Sequence, residues 1–284
     1  MYRYVVADVF TDTPLRGNPV AVVLDATGLS VEQMQLLARE THLSETTFVF
    51  PPSDGGDIRV RVFTPTVELP FAGHPLLGTA VVLAHEQACQ TLGMETEQGL
   101  IRFTFRRDAS GTIAATMDQP VPTWEPYEHA ETLVSALGVT AVEPVLAYRN
   151  GPRHVLVRVA DTAALSAIRP DLRVLATLPD MSAFCFAPAN THWRARMFSP
   201  AYGVEEDAAT GSGAGALGVH LARHSVVRYG EEIEIRQGVE IGRLSSMFVT
   251  ARGKGDQVSS VEVSGQAVII ARGEFLLKGA ANGS

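Results

Sequence analysis

Six residues have types and spacing that could do chemistry on a small acid. Gly73 and His74 stand just before an apolar run, Pro75 to Ala84, whose composition predicts a helix. Gly211 and Ser212 stand in the same place before a second such run, Ala214 to Leu221. The unpaired N–H groups of a first helical turn, with the positive end of the helix dipole, receive an anion. Two such turns facing one cleft would bind a carboxylate without an arginine. Glu45, in the segment LSETTFVF, aligns with Met181 of the second half, because Phe48-Val49-Phe50 matches Phe184-Cys185-Phe186. A carboxylate where the other half has an apolar residue is an asymmetry that folding does not require. If desolvated it would take up and return a proton near neutral pH. His74 and Asp207 are the other titratable candidates beside the helix starts. From spacing alone Glu45 can also be an exposed strand-start residue, His74 a capping residue, and Glu205-Glu206-Asp207 a solvated loop.

These residues need elements to place them, and the chain supplies the elements twice. Phe63 to Ala84 and Phe198 to Ala222 share one order: Phe-Ser/Thr-Pro, a polar loop, a small-Gly-polar turn, then an apolar helix ending in Leu-Ala. Before the first copy, strands are expected at Tyr2 to Phe10, Pro19 to Leu24, Glu45 to Phe50 and Ile58 to Thr64. Between them a helix should open at a Ser30/Gln33 capping box. After it come Met94 to Glu97, Leu100 to Arg107 and Thr112 to Met117. The second half repeats this pattern with strands at Pro144 to Arg149, His154 to Val159, Ser182 to Ala187, Trp193 to Ser199, Ile233 to Gln237, Leu244 to Ala251 and Val261 to Val263. Its helices are placed before Gly138 and at Asp171 to Leu178.

A spacing of about 135 to 138 positions is far longer than a solenoid period, so it marks a duplicated domain. The expected architecture is α+β: two pseudo-symmetric lobes, each a barrel-like, mostly antiparallel sheet around a central helix. The lobes are assigned to 1–119 and 127–265, with 120–126 as linker and 266–278 as a strand-like run that could complete the first lobe.

The 284 residues carry 46% apolar side chains, enough for two cores, and a net charge of -8 without a basic cluster. That balance argues against nucleic acid or an anionic membrane and for a small-molecule ligand. Two distant cysteines, Cys89 and Cys185, fit a reducing cytoplasm, and no stretch reads as a signal or a membrane span. Gly213-Ala-Gly215-Ala-Leu-Gly218 matches a dinucleotide fingerprint, but acidic residues precede it where a strand should, so it reads as the glycine face of a packed helix. His220 and His224 lack the Glu of a zinc motif, and no metal is expected. Neither helix start carries Cys, so racemisation by two thiols is not available.

The segments GNPVAVVLD, LSETTFVF, ELPFAGHPLLGTA, PTWEP, AYRNGPRHV, MFSPAYGVEEDAATGS and QGVEIGR resemble the PhzF-like family of phenazine-biosynthesis isomerases, in order and over nearly the whole chain. The resemblance implies the diaminopimelate epimerase fold, a homodimer, and a cofactor-free isomerisation of trans-2,3-dihydro-3-hydroxyanthranilate. It implies catalytic roles for Glu45, His74 and Asp207 and substrate binding at Gly73, Gly211 and Ser212. Two other functions share these residues: an isomerase or epimerase of another small carboxylate, and a non-catalytic binding protein. The tail LLKGAANGS looks unrelated to the family and is expected to be disordered.

Overall fold

The computed structural model describes residues 1–109 and 111–277, so all but the first two residues of that tail lie outside the described residues. The first half runs β1 (Tyr2–Val9), β2 (Asn18–Val23), α1 (Val31–Thr41), β3 (Glu45–Phe50), β4 (Ile58–Phe63), β5 (Glu68–Leu69), α2 (Gly73–Glu86), β6 (Thr91–Thr96), β7 (Gly99–Arg107) and β8 (Ile113–Gln119). The second runs β9 (Thr123–Pro126), α3 (Ala130–Leu137), β10 (Leu146–Arg149), β11 (Arg153–Arg158), α4 (Thr162–Ala167), α5 (Leu172–Leu175), β12 (Ser182–Pro188), β13 (Trp193–Ser199), β14 (Val204–Asp207), α6 (Gly211–Arg223), β15 (Glu232–Gln237), β16 (Ser245–Lys254) and β17 (Gln257–Phe275).

Strand pairing closes the first lobe into a ring. β1 pairs with β2, β2 with β3, β3 with β4, β4 with β6, β6 with β7, β7 with β8, β8 with β17 and β17 with β1. The β2–β3 and β4–β6 contacts are parallel and the others antiparallel. The second lobe copies the order through β10, β11, β12, β13, β15, β16 and β17, with β11–β12 and β13–β15 parallel. Its ring is completed by the run β8–β9, because β8 pairs with β17 and β9 with β10.

One helix fills each ring. α2 is buried from Gly73 to Val82 and packs on β1, β2, β3, β7, β8 and β17. α6 is buried from Gly211 to Ala222 and packs on β11, β16 and β17. A helix with apolar residues on every side is stable only where every side is covered. The α6 glycines supply clearance for that packing. A Cβ on Gly213 would come within 2.6 Å of the Phe184 ring, and one on Gly218 within 2.4 Å of Val249.

Several expectations change in detail. Thr123–Pro126, inside the stretch read as a linker, is a strand. Pro120 and Pro122 precede the ladder and Pro126 takes its last position, opposite Leu146, so none interrupts it, and Trp124 and Glu125 lie opposite Tyr148 and Ala147. The run expected as two strands around Gly265 is one strand of 19 residues. Gly265 admits Phe10, whose ring carbon would lie 2.4 Å from a Cβ there, so this glycine is a packing site and not a break. α4 was not anticipated, although Asp161 caps it by accepting from Ala164 N–H at 2.8 Å. The helix expected over Asp171 to Leu178 is only Leu172–Leu175. The Ser30/Gln33 capping box forms as read, with bonds of 3.1 and 2.9 Å.

Candidate active site

The two central helices meet end to end. A Cβ placed on Gly73 would lie 2.6 Å from the Ser212 backbone nitrogen and 2.8 Å from the Gly211 carbonyl carbon. Only a residue without a side chain lets the helix starts come this close. Neither start has a side-chain cap: Ala72 cannot provide one, and the Thr210 hydroxyl donates instead to Asp207 Oδ2 at 2.6 Å. Both first turns therefore present uncapped N–H groups at one place, and no acidic residue occupies either turn.

A cavity of about 270 Å³ opens at this junction, and all six sequence-derived residues, Glu45, Gly73, His74, Asp207, Gly211 and Ser212, line it. Glu45 opens β3 opposite Val20 of β2. The strand is pinned behind it, because Thr46 bonds Thr41 at the end of α1 (2.8 Å) and Thr47 bonds Thr79 in α2 (2.7 Å). Glu45 Oε2 faces His74 Nε2 at 3.4 Å, beyond hydrogen-bond contact for either group as placed. Among the described residues both atoms are buried without a hydrogen-bond partner. Both residues line the cavity, and two buried polar atoms left unpaired in its wall call for an explanation beyond folding.

Asp207 ends β14 and is fully engaged on its far side. Asn18 Nδ2 donates to its Oδ1 (2.7 Å) and to the Ala209 carbonyl (2.8 Å), with His74 Nδ1 at 3.2 Å. One amide has two hydrogens, so the two shorter contacts take them and the imidazole contact is a shared one. Gln237 Nε2 donates to the Asp207 carbonyl (2.9 Å) and to Thr210 Oγ1 (3.0 Å). Asn18 thus reaches from the first lobe into the second and ties the candidate acid to the candidate histidine.

Burial dominates the electrostatics. It pushes the Glu45 carboxyl well above the ordinary carboxylate range, and the nearby Asp207 charge pushes in the same direction. Asp207 itself is raised to about 6 by burial, against the opposing hydrogen bonds from Thr210 and Asn18. Burial lowers His74 to about 3 and His154 to about 4, so both imidazoles are neutral at physiological pH. The acidic triplet is not a solvated loop: Glu206 is gripped by both nitrogens of the Arg196 fork at 2.8 Å, and Asp207 is 5% exposed. His220 bonds Glu143 at 2.6 Å and Tyr148 at 3.0 Å at the far end of α6.

Spacing did not reveal Asn18, Thr210, Gln237 or His154. His154 Nε2 contacts Ser212 Oγ at 2.9 Å, while Asn150 and Gln119 donate to the Ser212 and Gly211 carbonyls at 3.0 Å. A signal was present: Asn18 and His154 are 136 positions apart, as are Glu45 and Met181.

Comparison with known proteins bears on the family and the fold. The family model described as "Phenazine biosynthesis-like protein" matches residues 7–273. The chain is 54% identical, over 98% of its length and 100% of the relative's, to the trans-2,3-dihydro-3-hydroxyanthranilate isomerase of Pseudomonas aeruginosa. It is 33% identical, over 95% and 97%, to the uncharacterized isomerase YddE of Escherichia coli O157:H7. A PhzF-family structure from Bacillus anthracis superposes with a TM-score of 0.85 at 26% identity, covering 97% of this chain and 99% of that one. A hydroxyproline epimerase from Agrobacterium vitis shares the fold, with a TM-score of 0.68 at 12% identity over 96% of this chain and 91% of that one. With its paired rings, central helices and full-length relatives, the chain belongs to the PhzF family of phenazine biosynthesis-like isomerases.

Proposed function

We propose that this protein isomerises trans-2,3-dihydro-3-hydroxyanthranilate without a cofactor, with Glu45 carrying the proton. The observation that carries the reading is the buried, unpaired Glu45 carboxylate oxygen on a residue that lines a cavity also receiving two uncapped helix starts. At about 270 Å³ the cavity lies just below the usual range of roughly 300–1,000 Å³, a size suited to a single ring. The name and full-length identity of the Pseudomonas aeruginosa relative support the substrate.

In this reading the substrate carboxylate docks on the N–H groups of Gly73, His74, Gly211 and Ser212. Ionised Glu45 removes the proton from C3, and the C3–H electron pair enters the adjacent conjugated diene, which bears the carboxylate at C1. Glu45 then returns the same proton to C1 on the same face. The atoms of substrate and product balance, and the resulting enol tautomerises to an aminoketone. Neutral His74 and the Asp207 carboxyl orient the amine and hydroxyl and relay protons between them. Positioning and general acid–base transfer supply the acceleration, the latter typically worth about 100- to 10,000-fold. Assembly as a homodimer, a cytoplasmic location and the division into lobes 1–119 with 266–278 and 127–265, joined by 120–126, belong to the same reading. The pairing of β17 with β1 supports giving the last strand to the first lobe. Sedimentation checks the dimer.

The test is NMR of the substrate in heavy water with enzyme and with Glu45→Gln. Loss of the C3 proton signal and growth at C1 are expected for the wild type and not for the variant. Turnover by Glu45→Gln overturns the assignment, and exchange on other small carboxylates but not on this one would move the protein to a different substrate.

A further inference from the structure

Strands β2 and β11 are equivalents in the two lobes, and each sends one polar side chain to the helix start of its own lobe. In the first, Asn18 meets His74 at 3.2 Å; in the second, His154 meets Ser212 at 2.9 Å. The imidazole has changed place, from helix to strand, and a hydroxyl stands on the helix instead. His154 lines the cavity, is 1% exposed, and has no hydrogen-bond partner at Nδ1 among the described residues.

That missing partner decides the tautomer. With the proton on Nδ1, a buried N–H would go unpaired while Nε2 accepted the Ser212 hydroxyl proton. With the proton on Nε2, the ring donates to Ser212 Oγ and only an imidazole lone pair is left open, the less costly defect. Burial keeps the ring neutral, so a single proton must be placed. Ser212 Oγ then accepts from His154, and its own hydrogen points away from the imidazole, toward the cavity. Its backbone N–H is in the uncapped first turn of α6, and its carbonyl is fixed by Asn150.

We propose that His154 is a positioning residue that orients the Ser212 hydroxyl as a second donor to the ligand carboxylate, adding a directed O–H to the helix-start N–H groups. This inference rests on the carboxylate dock described above. It assigns the second lobe the task of selecting an anion over an uncharged isostere, while the equivalent pair in the first lobe serves Asp207.

The experiment compares 2-aminobenzoate with its uncharged counterpart 2-aminobenzamide by calorimetry. Wild type should prefer the carboxylate. His154→Leu and Ser212→Ala should each cut that preference on the order of tenfold, the size expected for one hydrogen bond to a charged group. The double variant should be no worse than either single, because both remove the same bond. His154→Gln, which keeps a donor near the Nε2 position, should restore most of the preference. An unchanged preference in His154→Leu, or independent losses that multiply in the double variant, overturns the proposal. A wild type blind to the carboxylate overturns the dock itself, a separate result. Should His154→Leu not fold, imidazole nitrogen-15 shifts of the wild-type protein decide: a proton on Nε2 is expected, and a proton on Nδ1 overturns the proposal.

Discussion

Gly73 lies so close to Ser212 that a Cβ on the glycine would come within 2.6 Å of the serine's amide nitrogen, and this contact joins the two lobes at their helix starts. The clash would be with backbone, which cannot swing aside. Gly73→Ala should therefore force the helix starts apart, at a cost of about 1–3 kcal/mol as in other overpacked sites. Each kcal/mol lowers Tm by about 2–4 °C in a protein near this size. Calorimetric affinity for 2-aminobenzoate should fall with it. A variant that melts and binds like wild type would mean that the junction yields easily and does not form the dock.

Replacing Asp207 by Asn should move the acid limb of the kcat/KM profile to lower pH. The Asp207 anion raises the Glu45 proton affinity, so removing that charge lets Glu45 ionise at lower pH. The maximal rate should also fall, because an amide cannot relay a proton. An acid limb that stays in place would show that the limb reports another group.

Glu45→Gln should stabilise the fold above the ordinary carboxylate range. A carboxyl whose folded pKa is raised contributes its stability below its unfolded value and loses it as pH rises through the folded one. Melting at pH 4 should hardly distinguish variant from wild type. At pH 8 the variant should melt higher, on the order of a few degrees. Equal melting at both values would indicate that Glu45 is well solvated.

Asn18→Ala removes the amide that bonds both Asp207 Oδ1 and the Ala209 carbonyl. Asp207 should then titrate above its present value of about 6, since that hydrogen bond favours its charged form. Leaving a buried carbonyl unpaired should cost about 1–3 kcal/mol. Carboxyl carbon-13 titration reads the first effect and thermal melting the second; no shift of Asp207 would remove Asn18 from the positioning machinery.

The duplication was legible because each copy writes its helix start in nearly the same letters, Gly73-His74 and Gly211-Ser212. Glu45 was legible as an asymmetry between copies, opposite Met181. The supporting residues were harder to read for a physical reason. Asn18 acts across the lobe boundary, on a partner 189 positions away, and Gln237 acts within the second lobe on a partner 30 positions away, and no local periodicity records such contacts. Gly265 was misread because turn-forming and space-giving glycines look alike until the residue that fills the space, Phe10, is known. Thr123–Pro126 was misread because prolines at the ends of a ladder look the same as prolines that forbid one.

The length of β17 governs the order in which the molecule can be completed. The first half leaves the ribosome with its central helix and all its own strands, yet its ring lacks the stave that Val261 to Phe275 will later insert between β8 and β1. At about 5–20 residues per second, that gap stays open on the order of ten seconds. Through this interval two unpaired strand edges flank a helix apolar on every side, a nascent surface open to wrong pairing. Val261 to Phe275, translated after the other strands of both rings, close the first one, so the half made earlier cannot be the half finished earlier.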